Sequence, residues 1–392
     1  MTRVVVIGAG LAGLAAADAL AAAGAEVVVL ESRDRVGGRV WSMPLEDGTI
    51  VEMGAEFVTA GYELLPALIG RLGLRLAPMG MSFARREPRG GIGVTEAALN
   101  QSLQLVETAI DRGQGAGLSI AALLDRLALD AGARELIECR IQVTYAHATG
   151  RLAADAVRDV GHLFREPEAQ RVAGGNQQVA ERLAASVVVR LSAPAIRVEQ
   201  TAAGYRVNGE LEADAVVVAT PAPDVGRIAF QPALPGWKTS ALAAVRYGQA
   251  AKLAVPLTAA APASSVLSVP ERFWTWTARD GGGEVAPLVT AFAGSEEALA
   301  ALEVDRGPDR YLERLRALRP DLALDGESAV LSTWPQGAYS AREVGRSPTL
   351  DQELARPVGR IAFAGEHTES VWYSTMEGAL RSGQRAASDL LP

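Results

Sequence analysis

Arg3-Val4-Val5-Val6-Ile7-Gly8-Ala9-Gly10-Leu11-Ala12-Gly13 opens the chain, and Val27-Val28-Val29-Leu30-Glu31 follows shortly after it. Arg3–Ile7 is a β-branched run suited to a strand buried on both faces. Leu11–Ala23 is rich in alanine and leucine and predicts a helix, with Gly24 in the stop position. Val27–Leu30 reads as a second buried strand. The glycines at 8, 10 and 13 have separate physical roles. The first allows a tight turn, the second lets backbone approach a pyrophosphate, and the third lets the helix pack on the strand. The helix start offers unpaired N–H groups and a partial positive charge to phosphates. Glu31 lies where a carboxylate can accept bonds from ribose hydroxyls. This βαβ unit predicts dinucleotide binding, but the triplet alone does not separate NAD from FAD.

A length of 392 residues suits two or three domain-sized units, or two interleaved ones. Hydrophobic residues at 49% and charged residues at 21% describe a folded globular chain and not a disordered one. The net charge of −8, with no basic block, argues against nucleic acid as a partner. The single cysteine, Cys139, excludes an internal disulfide framework and a four-cysteine zinc site. His147, His162 and His367 leave little for a histidine-rich metal centre, and no metal is expected. No charged leader precedes Arg3, the apolar stretch from Leu11 to Leu30 is broken by Gly24 and Glu26, and no hydrophobic tail follows the C-terminal helix. A cytoplasmic protein with no membrane partner is the expectation.

Further along, residues 62–167 read as mostly helical, with apolar residues at helical spacing in Ala97–Ile110, Ile120–Leu127 and Ala131–Gln142. Arg190–Val198, Gly204–Val207 and Ala213–Thr220 read as short strands around turns at Ala202-Ala203-Gly204 and Asn208-Gly209. Phe273–Ala278 and Ala286–Phe292 flank Asp280-Gly281-Gly282-Gly283 and predict a hairpin; Thr258–Ser265 predicts a surface loop. Pro308–Leu318 predicts a helix, Arg360–Ala364 a buried strand and Met376–Leu390 a final helix. The fold class expected is α/β, a Rossmann-like dinucleotide domain with an interleaved α+β substrate-binding domain. The first would use residues 1–61, 168–240 and 341–392, and the second 62–167 and 241–340.

The stretch after the acid separates the cofactors. Glu31-Ser32-Arg33-Asp34-Arg35-Val36-Gly37-Gly38-Arg39 resembles the second segment of FAD proteins in the flavin amine oxidase family. Phe363-Ala364-Gly365-Glu366-His367-Thr368 and Trp372-Tyr373-Ser374-Thr375-Met376-Glu377-Gly378-Ala379 strengthen the match. In that family this C-terminal segment brings a second helix start to the flavin ring, where its dipole favours negative charge on the reduced flavin. Met53-Gly54-Ala55-Glu56-Phe57-Val58 looks like the segment running beside the isoalloxazine. Pro194-Ala195 matches the place where backbone meets the adenine, and Val216–Pro221 the closing strand.

The resemblance therefore implies FAD contacts at Gly8, Gly10, Leu11, Ala12 and Gly13; at Glu31, Ser32, Arg33, Gly38 and Arg39; at Gly54, Ala55 and Glu56; at Ala195 and Ala219; and at Gly365, Glu366, Thr375, Met376 and Ala379. Arg39 would supply a charge-assisted bond to the diphosphate. Phe57, Trp372 and Tyr373 would face the substrate.

Lys252 lies in Tyr247-Gly248-Gln249-Ala250-Ala251-Lys252-Leu253-Ala254-Val255, which resembles the family strand whose lysine holds a water near flavin N5. It is one of only two lysines, the other being Lys238. A chain so biased toward arginine, placing lysine in an apolar strand, suggests a need for a compact ammonium or neutral amine there. The alternative is an edge-strand lysine reaching for water. Trp334 and Tyr339, in Trp334-Pro335-Gln336-Gly337-Ala338-Tyr339, match the family's flavin-side tryptophan and an aromatic wall of the amine cage. Monoamine oxidases tether the flavin through a cysteine just before that tyrosine; here the position is Ala338, so FAD is expected to be non-covalent. Their second cage aromatic falls at Thr375, and Ser374 stands where glycine is frequent, so the monoamine substrate class does not carry over.

Glu56 suits either a substrate cation or a structural role. Arg85 and Arg86 suit an amino-acid carboxylate, with a solvated charge pair the simpler reading. Trp274 and Trp276 share a strand face and read as core. Tyr145 and His147 are candidates for the pocket wall, His367 for positioning a turn, and Cys139 for a small core residue.

What the resemblance implies is an FAD-dependent oxidoreductase that removes hydride from the C–N bond of an amine or amino acid. O2 is the expected acceptor, giving H2O2, and a homodimer is a family-level expectation. Two other readings stand beside it: an FAD-dependent C–C desaturase of a specialised biosynthetic intermediate, and a catalytically silent FAD-binding subunit.

Overall fold

The computed structural model describes residues 1–392 apart from positions 158, 159, 161, 166, 167, 335, 336 and 392 and the side chain of His162. Pro335 and Gln336 of the Trp334–Tyr339 motif therefore lie outside the described residues.

Arg3–Ile7 pairs in parallel with Glu26–Leu30 on one side and Ala215–Val218 on the other. Val188–Arg190 and Ile361–Phe363 extend the two edges, also in parallel. Numbered by appearance in the chain, the strands run 3-2-1-4-5 across the five-stranded sheet, a Rossmann-like order in which ligands bind at the carboxyl ends where the order reverses. The strands' alternation divides the core. Val4 and Val6 face a cluster with the helices Leu11–Ala22, Gln178–Ala184 and Met376–Ser388, while Val5 and Ile7 face a second cluster. That second face is covered by a four-stranded sheet of Arg197–Thr201, Gly204–Val207, Leu211–Ala213 and Ala229–Gln231. A Cβ at Gly383 would lie 2.2 Å from the Ala12 carbonyl oxygen, so its lack of a side chain lets the last helix pack directly on the first.

The chain leaves the parallel sheet after strands 2 and 4. These excursions build a six-stranded sheet in the order Val330–Trp334, Ala250–Pro256, Val285–Gly294, Phe273–Arg279, Ser264–Ser268 and Glu87–Arg89. Glu96–Asp111, Ile120–Arg126 and Ala131–Tyr145 form a helical layer around Leu103, Ile137 and Ile141. No helix among the described residues is long and apolar enough to cross a membrane.

Some expected elements are divided differently. Arg190–Val198 is not one strand, because Ser192 turns at φ 51° and Pro194 has no N–H for a ladder. Its two ends belong to different sheets. Ala213–Thr220 is likewise cut at Asp214, whose carboxylate accepts from the Arg3 backbone N–H at 2.7 Å. Within the helical region, Leu76–Ser82 is a strand paired with Glu168–Val172, and Glu87–Arg89 is another. The loop expected over Thr258–Ser265 ends at Ser264, where a strand begins.

Both lysines are buried, so the basic charge at the surface is carried by arginine. Lys238 is 0% exposed. Its Nζ donates to the carbonyls of Glu353 (2.6 Å) and Leu354 (3.0 Å) at the end of the Leu350–Ala355 helix, and lies 4.0 Å from the Phe363 ring centroid. Burial lowers its pKa from 10.5 to about 7. The unfolded chain then holds more protons than the folded one between about pH 7 and 10.5, so stability gains a term that grows with pH across that window. Thermal unfolding of Lys238→Met should lack this rise. Parallel Tm–pH curves for the two proteins would show that Lys238 titrates normally.

Candidate active site

One cleft of about 1860 Å³ runs from the carboxyl ends of the parallel strands to the face of the six-stranded sheet. That is larger than a typical small-ligand site of about 300–1000 Å³, with room for a dinucleotide and a substrate. At its first end Gly8 turns at φ 105°, and a Cβ on Gly10 would meet nothing within 4 Å, leaving backbone open to a ligand. The Leu11–Ala22 helix begins here with no side-chain cap and no acidic residue in its first turn. Its N–H groups and dipole are left for an anion. Gly13 does not line the cleft. A Cβ there would lie 1.9 Å from the Gly8 carbonyl oxygen, so the third glycine acts by packing alone.

The Gly37 N–H donates to Ala9 at 2.8 Å, and a Cβ on Gly38 would approach the Gly10 Cα to 3.3 Å. Glu31 accepts from the N–H groups of Ala9 (2.8 Å) and Arg33 (3.0 Å), which fixes its carboxylate at the cleft edge. Leu11, Ala12, Ser32, Arg33, Gly54, Ala55, Ala195 and Ala219 all line the same cleft. These features fit a dinucleotide.

At the far end Gly365, Glu366, Thr375, Met376 and Ala379 line the wall. Thr375 caps the second helix by accepting from the Gly378 N–H at 3.0 Å. Arg39 lines the cleft, and its Nη1 donates to Glu366 Oε1 at 2.8 Å and to the Ala338 carbonyl at 3.3 Å. Glu366 also accepts from the Ser340 N–H (3.1 Å), the Ser340 hydroxyl (2.5 Å) and the Ser374 N–H (2.9 Å). Burial opposes its charge, but Arg39 and these donors outweigh that and hold its pKa below 4.5. Its oxygens thus serve the protein while the residue faces the cleft. Ser374 sits at φ 66°, a conformation glycine adopts without cost, and its hydroxyl answers with a bond to the Ser340 carbonyl. Burial lowers His367 to about 4, which leaves it neutral near pH 7 and consistent with positioning.

Lys252 lies on a strand flanked on both sides, not on an edge. It is 7% exposed, and its Nζ donates to Glu56 Oε2 at 2.9 Å and to the Glu52 carbonyl at 3.0 Å. Of the ammonium and the neutral amine that the apolar strand suggested, the Glu56 partner suits the ammonium. Glu56 also accepts from Arg171 (3.1 Å) and from the Trp276 indole N–H (3.2 Å). Its carboxylate thus holds three protein donors while the residue lines the cleft. Glu52, beside it, is pushed up to about 7, chiefly by burial and then by Glu56.

Trp334 donates its indole N–H to the Met53 carbonyl at 3.0 Å, and Tyr339 its hydroxyl to the Thr144 carbonyl at 2.7 Å. Both rings line the cleft, as do Phe57, Trp372 and Tyr373. Tyr373 is held by the Ala156 carbonyl at 2.8 Å, and Trp372 meets Tyr62 edge-on at 5.4 Å.

Three expectations change here. Trp274, read as core, also lines the cleft while stacking on Trp276 at 4.2 Å. Tyr145 reaches the cleft, but His147 does not and instead meets Glu343 at 2.9 Å. Arg85 is exposed whereas Arg86 is buried and lines the cleft, so they are not a solvated pair. Phe83, Val143 and Phe292 also line it and had no sequence signal beyond apolarity. Cys139 is buried in the apolar cluster that backs the Trp274 wall, without lining the cleft itself, and burial pushes its thiol up to about 12.

The flavin-containing amine oxidoreductase family profile matches residues 11–138 and 150–391. AofH of Mycobacterium tuberculosis, whose name describes a flavin-containing monoamine oxidase, is 30% identical over 99% of this chain and 96% of its own. Amine oxidase B of Sus scrofa is 27% identical over 99% of this chain and 86% of its own, and the L-amino-acid oxidase of Mus musculus 27% over 98% and 70%. Among solved structures, putrescine oxidase bound to putrescine superposes with a TM-score of 0.83 at 24% identity, covering 99% of this chain and 98% of that one. Cyclohexylamine oxidase from Brevibacterium oxydans IH-35A gives 0.84 at 22%, with the same coverage. These two likenesses establish the fold. The chain belongs to the flavin-containing amine oxidoreductase family. It is a flavoenzyme, an oxidoreductase acting on amines.

The Glu366 seam generates a prediction. Removing one partner of a buried ion pair costs about 3–5 kcal/mol because the other charge is stranded. Glu366→Ala should lower Tm by at least several degrees and reduce the flavin-to-protein absorbance ratio after gel filtration. Unchanged values for both would remove Glu366 from the cleft's support.

Proposed function

We propose that this chain oxidises the C–N bond of an amine or amino acid to an imine, with FAD bound non-covalently in the cleft and O2 as the acceptor that yields H2O2. The observation that carries the reading is the Lys252–Glu56 pair, buried on the wall between the dinucleotide end and the aromatic rings. The chemistry FAD supplies when bound is acceptance of hydride from the carbon next to nitrogen.

The chain's own residues do the rest. Glu56 and the Glu52 carbonyl take two of the three N–H groups of Lys252, leaving one to hold a water at the cleft surface. Arg171 and Trp276 keep Glu56 from turning toward the substrate. Trp334 and Tyr339 are fixed through carbonyls of neighbouring segments, so their rings orient the amine and keep water out. The uncapped Leu11–Ala22 helix start suits the diphosphate. Ala338 and the buried, distant Cys139 support a flavin without a thioether tether. The same reading places the enzyme in the cytoplasm.

Anaerobic addition of amine and amino-acid pools to the purified protein tests the function: one pool should bleach the flavin band, and a band that no pool bleaches would favour the desaturase or silent-subunit alternative. Lys252→Met should retain flavin but slow its reduction or reoxidation, and wild-type turnover would take the lysine out of the mechanism. Acid precipitation should release all the flavin to the supernatant; flavin remaining with the pellet would contradict non-covalent binding.

A further inference from the structure

Both acceptors of Lys252 come from one short stretch of chain. Its Nζ donates to the Glu52 carbonyl at 3.0 Å and to Glu56 Oε2 at 2.9 Å. The strand Ile50–Glu52 ends at the first of these residues, and positions 53–57 run on outside any strand or helix. Met53, Gly54, Ala55 and Glu56 all line the cleft. A stretch without a ladder is placed by the bonds that other segments make to it. From the side of the six-stranded sheet, the Ser332 hydroxyl and the Trp334 indole N–H each donate to the Met53 carbonyl at 3.0 Å.

Asn176 holds the same stretch from elsewhere. It is 1% exposed and does not line the cleft. Its Nδ2 donates to the carbonyls of Ala55 (3.1 Å) and Glu56 (2.7 Å), and its backbone N–H donates to Glu52 Oε1 at 2.7 Å. Its Oδ1 accepts from the Val172 N–H at 2.8 Å. Both amide hydrogens are therefore spent on the stretch that carries the acceptors of Lys252. The orientation of the amide is fixed by these partners, because exchanging its oxygen and nitrogen would set donor against donor and acceptor against acceptor. The turn before Asn176 gives it the reach. Gly174 and Gly175 sit at φ 80° and 111°, and a Cβ on Gly175 would lie 2.8 Å from Ser42 Oγ, which itself donates to Glu52 Oε2 at 2.8 Å. Arg171, on the strand leading into that turn, adds its ion pair to Glu56 Oε1 at 3.1 Å.

Resting on the amine-oxidation reading for what Lys252 does, we infer that Asn176 is a positioning residue for Lys252. It touches neither the lysine nor the cleft, and acts by holding the Glu52 carbonyl and the Glu56 carboxylate where Nζ meets them. Without its amide, the Ala55 and Glu56 carbonyls lose their donor and the stretch must move to find another. Lys252 cannot follow, because Ala250–Pro256 is laddered to Val285–Gly294 on one side and to Val330–Trp334 on the other. The movement therefore changes the direction of the one N–H that Lys252 keeps for the cleft.

The kinetic test is a double-mutant cycle on the holoenzyme, using an amine that bleaches the flavin and whichever half-reaction Lys252→Met slows. Asn176→Asp keeps the acceptor for the Val172 N–H and removes both amide donors; Asn176→Ser removes the amide without adding charge. Either should lower the rate by roughly 10- to 100-fold, the scale of a small misplacement at a reacting centre, with KM within a few-fold because Asn176 does not line the cleft. In the Lys252→Met background the same change should cost no more than about twofold, since residues acting through one group are not additive. A merely structural role would slow both backgrounds equally.

A readout independent of turnover uses the scarcity of lysine. The chain has two, Lys238 and Lys252, so protein labelled with 13C at the lysine Cε gives two NMR signals, assigned by Lys252→Met. Both Asn176 variants should move the Lys252 signal and leave that of Lys238 in place. Wild-type positions for both signals, displacement of both alike, or rate losses that add in the cycle would overturn the positioning role and leave amine oxidation standing. Displacement of the Lys252 signal alone, in a protein whose flavin no amine bleaches, would uphold the positioning and overturn the amine-oxidation reading.

Discussion

Glu366 is a carboxylate 4% exposed, and it accepts from Arg39, Ser340 and Ser374, residues that come from segments far apart in the chain. Arg39 follows the dinucleotide turn, Ser340 follows the strand that flanks Lys252, and Ser374 precedes the final helix. A buried charge tolerates few arrangements of its donors, because each lost bond leaves desolvation uncompensated. That constraint sets where the parallel sheet, the aromatic wall and the second helix start meet. The positive φ of Ser374 is a cost accepted for it, since the same residue supplies a backbone donor to Glu366 and a hydroxyl to Ser340.

A second buried network governs the other end. Glu56 gathers Lys252, Arg171 and Trp276, and Asn176 donates to its backbone carbonyl at 2.7 Å. The Asn176 N–H also reaches Glu52 at 2.7 Å, tying the acid pushed up to about 7 into the same group. The network leaves Lys252 with a defined direction, while Glu56, holding three protein donors, still lines the cleft.

Much of the dinucleotide half was legible in sequence because its constraints are local. Gly8, Gly10 and Gly37-Gly38 are needed for backbone conformation and close approach, and Glu31 follows its strand directly. Lys252 stood out through rarity, and rarity was a partial guide: Lys238 is at least as buried but caps a helix end instead of facing the cleft. Arg86 shows where local reading stops. It looks like its neighbour Arg85, and only the packing of Phe83 and Trp274 separates a buried guanidinium from an exposed one. Trp274 and Trp276 alternate as core residues should, yet the first of them also meets the cleft, because the sheet face they share forms its wall.

By itself the sequence determined the βαβ start, the family resemblance and many of the residues along the cleft, since strand period, glycine spacing and turn chemistry act over a few residues. The tertiary structure alone decided which charges are paired. That Lys252 meets Glu56, that Arg39 meets Glu366, and that Arg86 is buried while Arg85 is exposed all depend on residues tens to hundreds of positions away. Electrostatic partnership is a property of distance and burial in space, and neither is written in the local pattern of the chain.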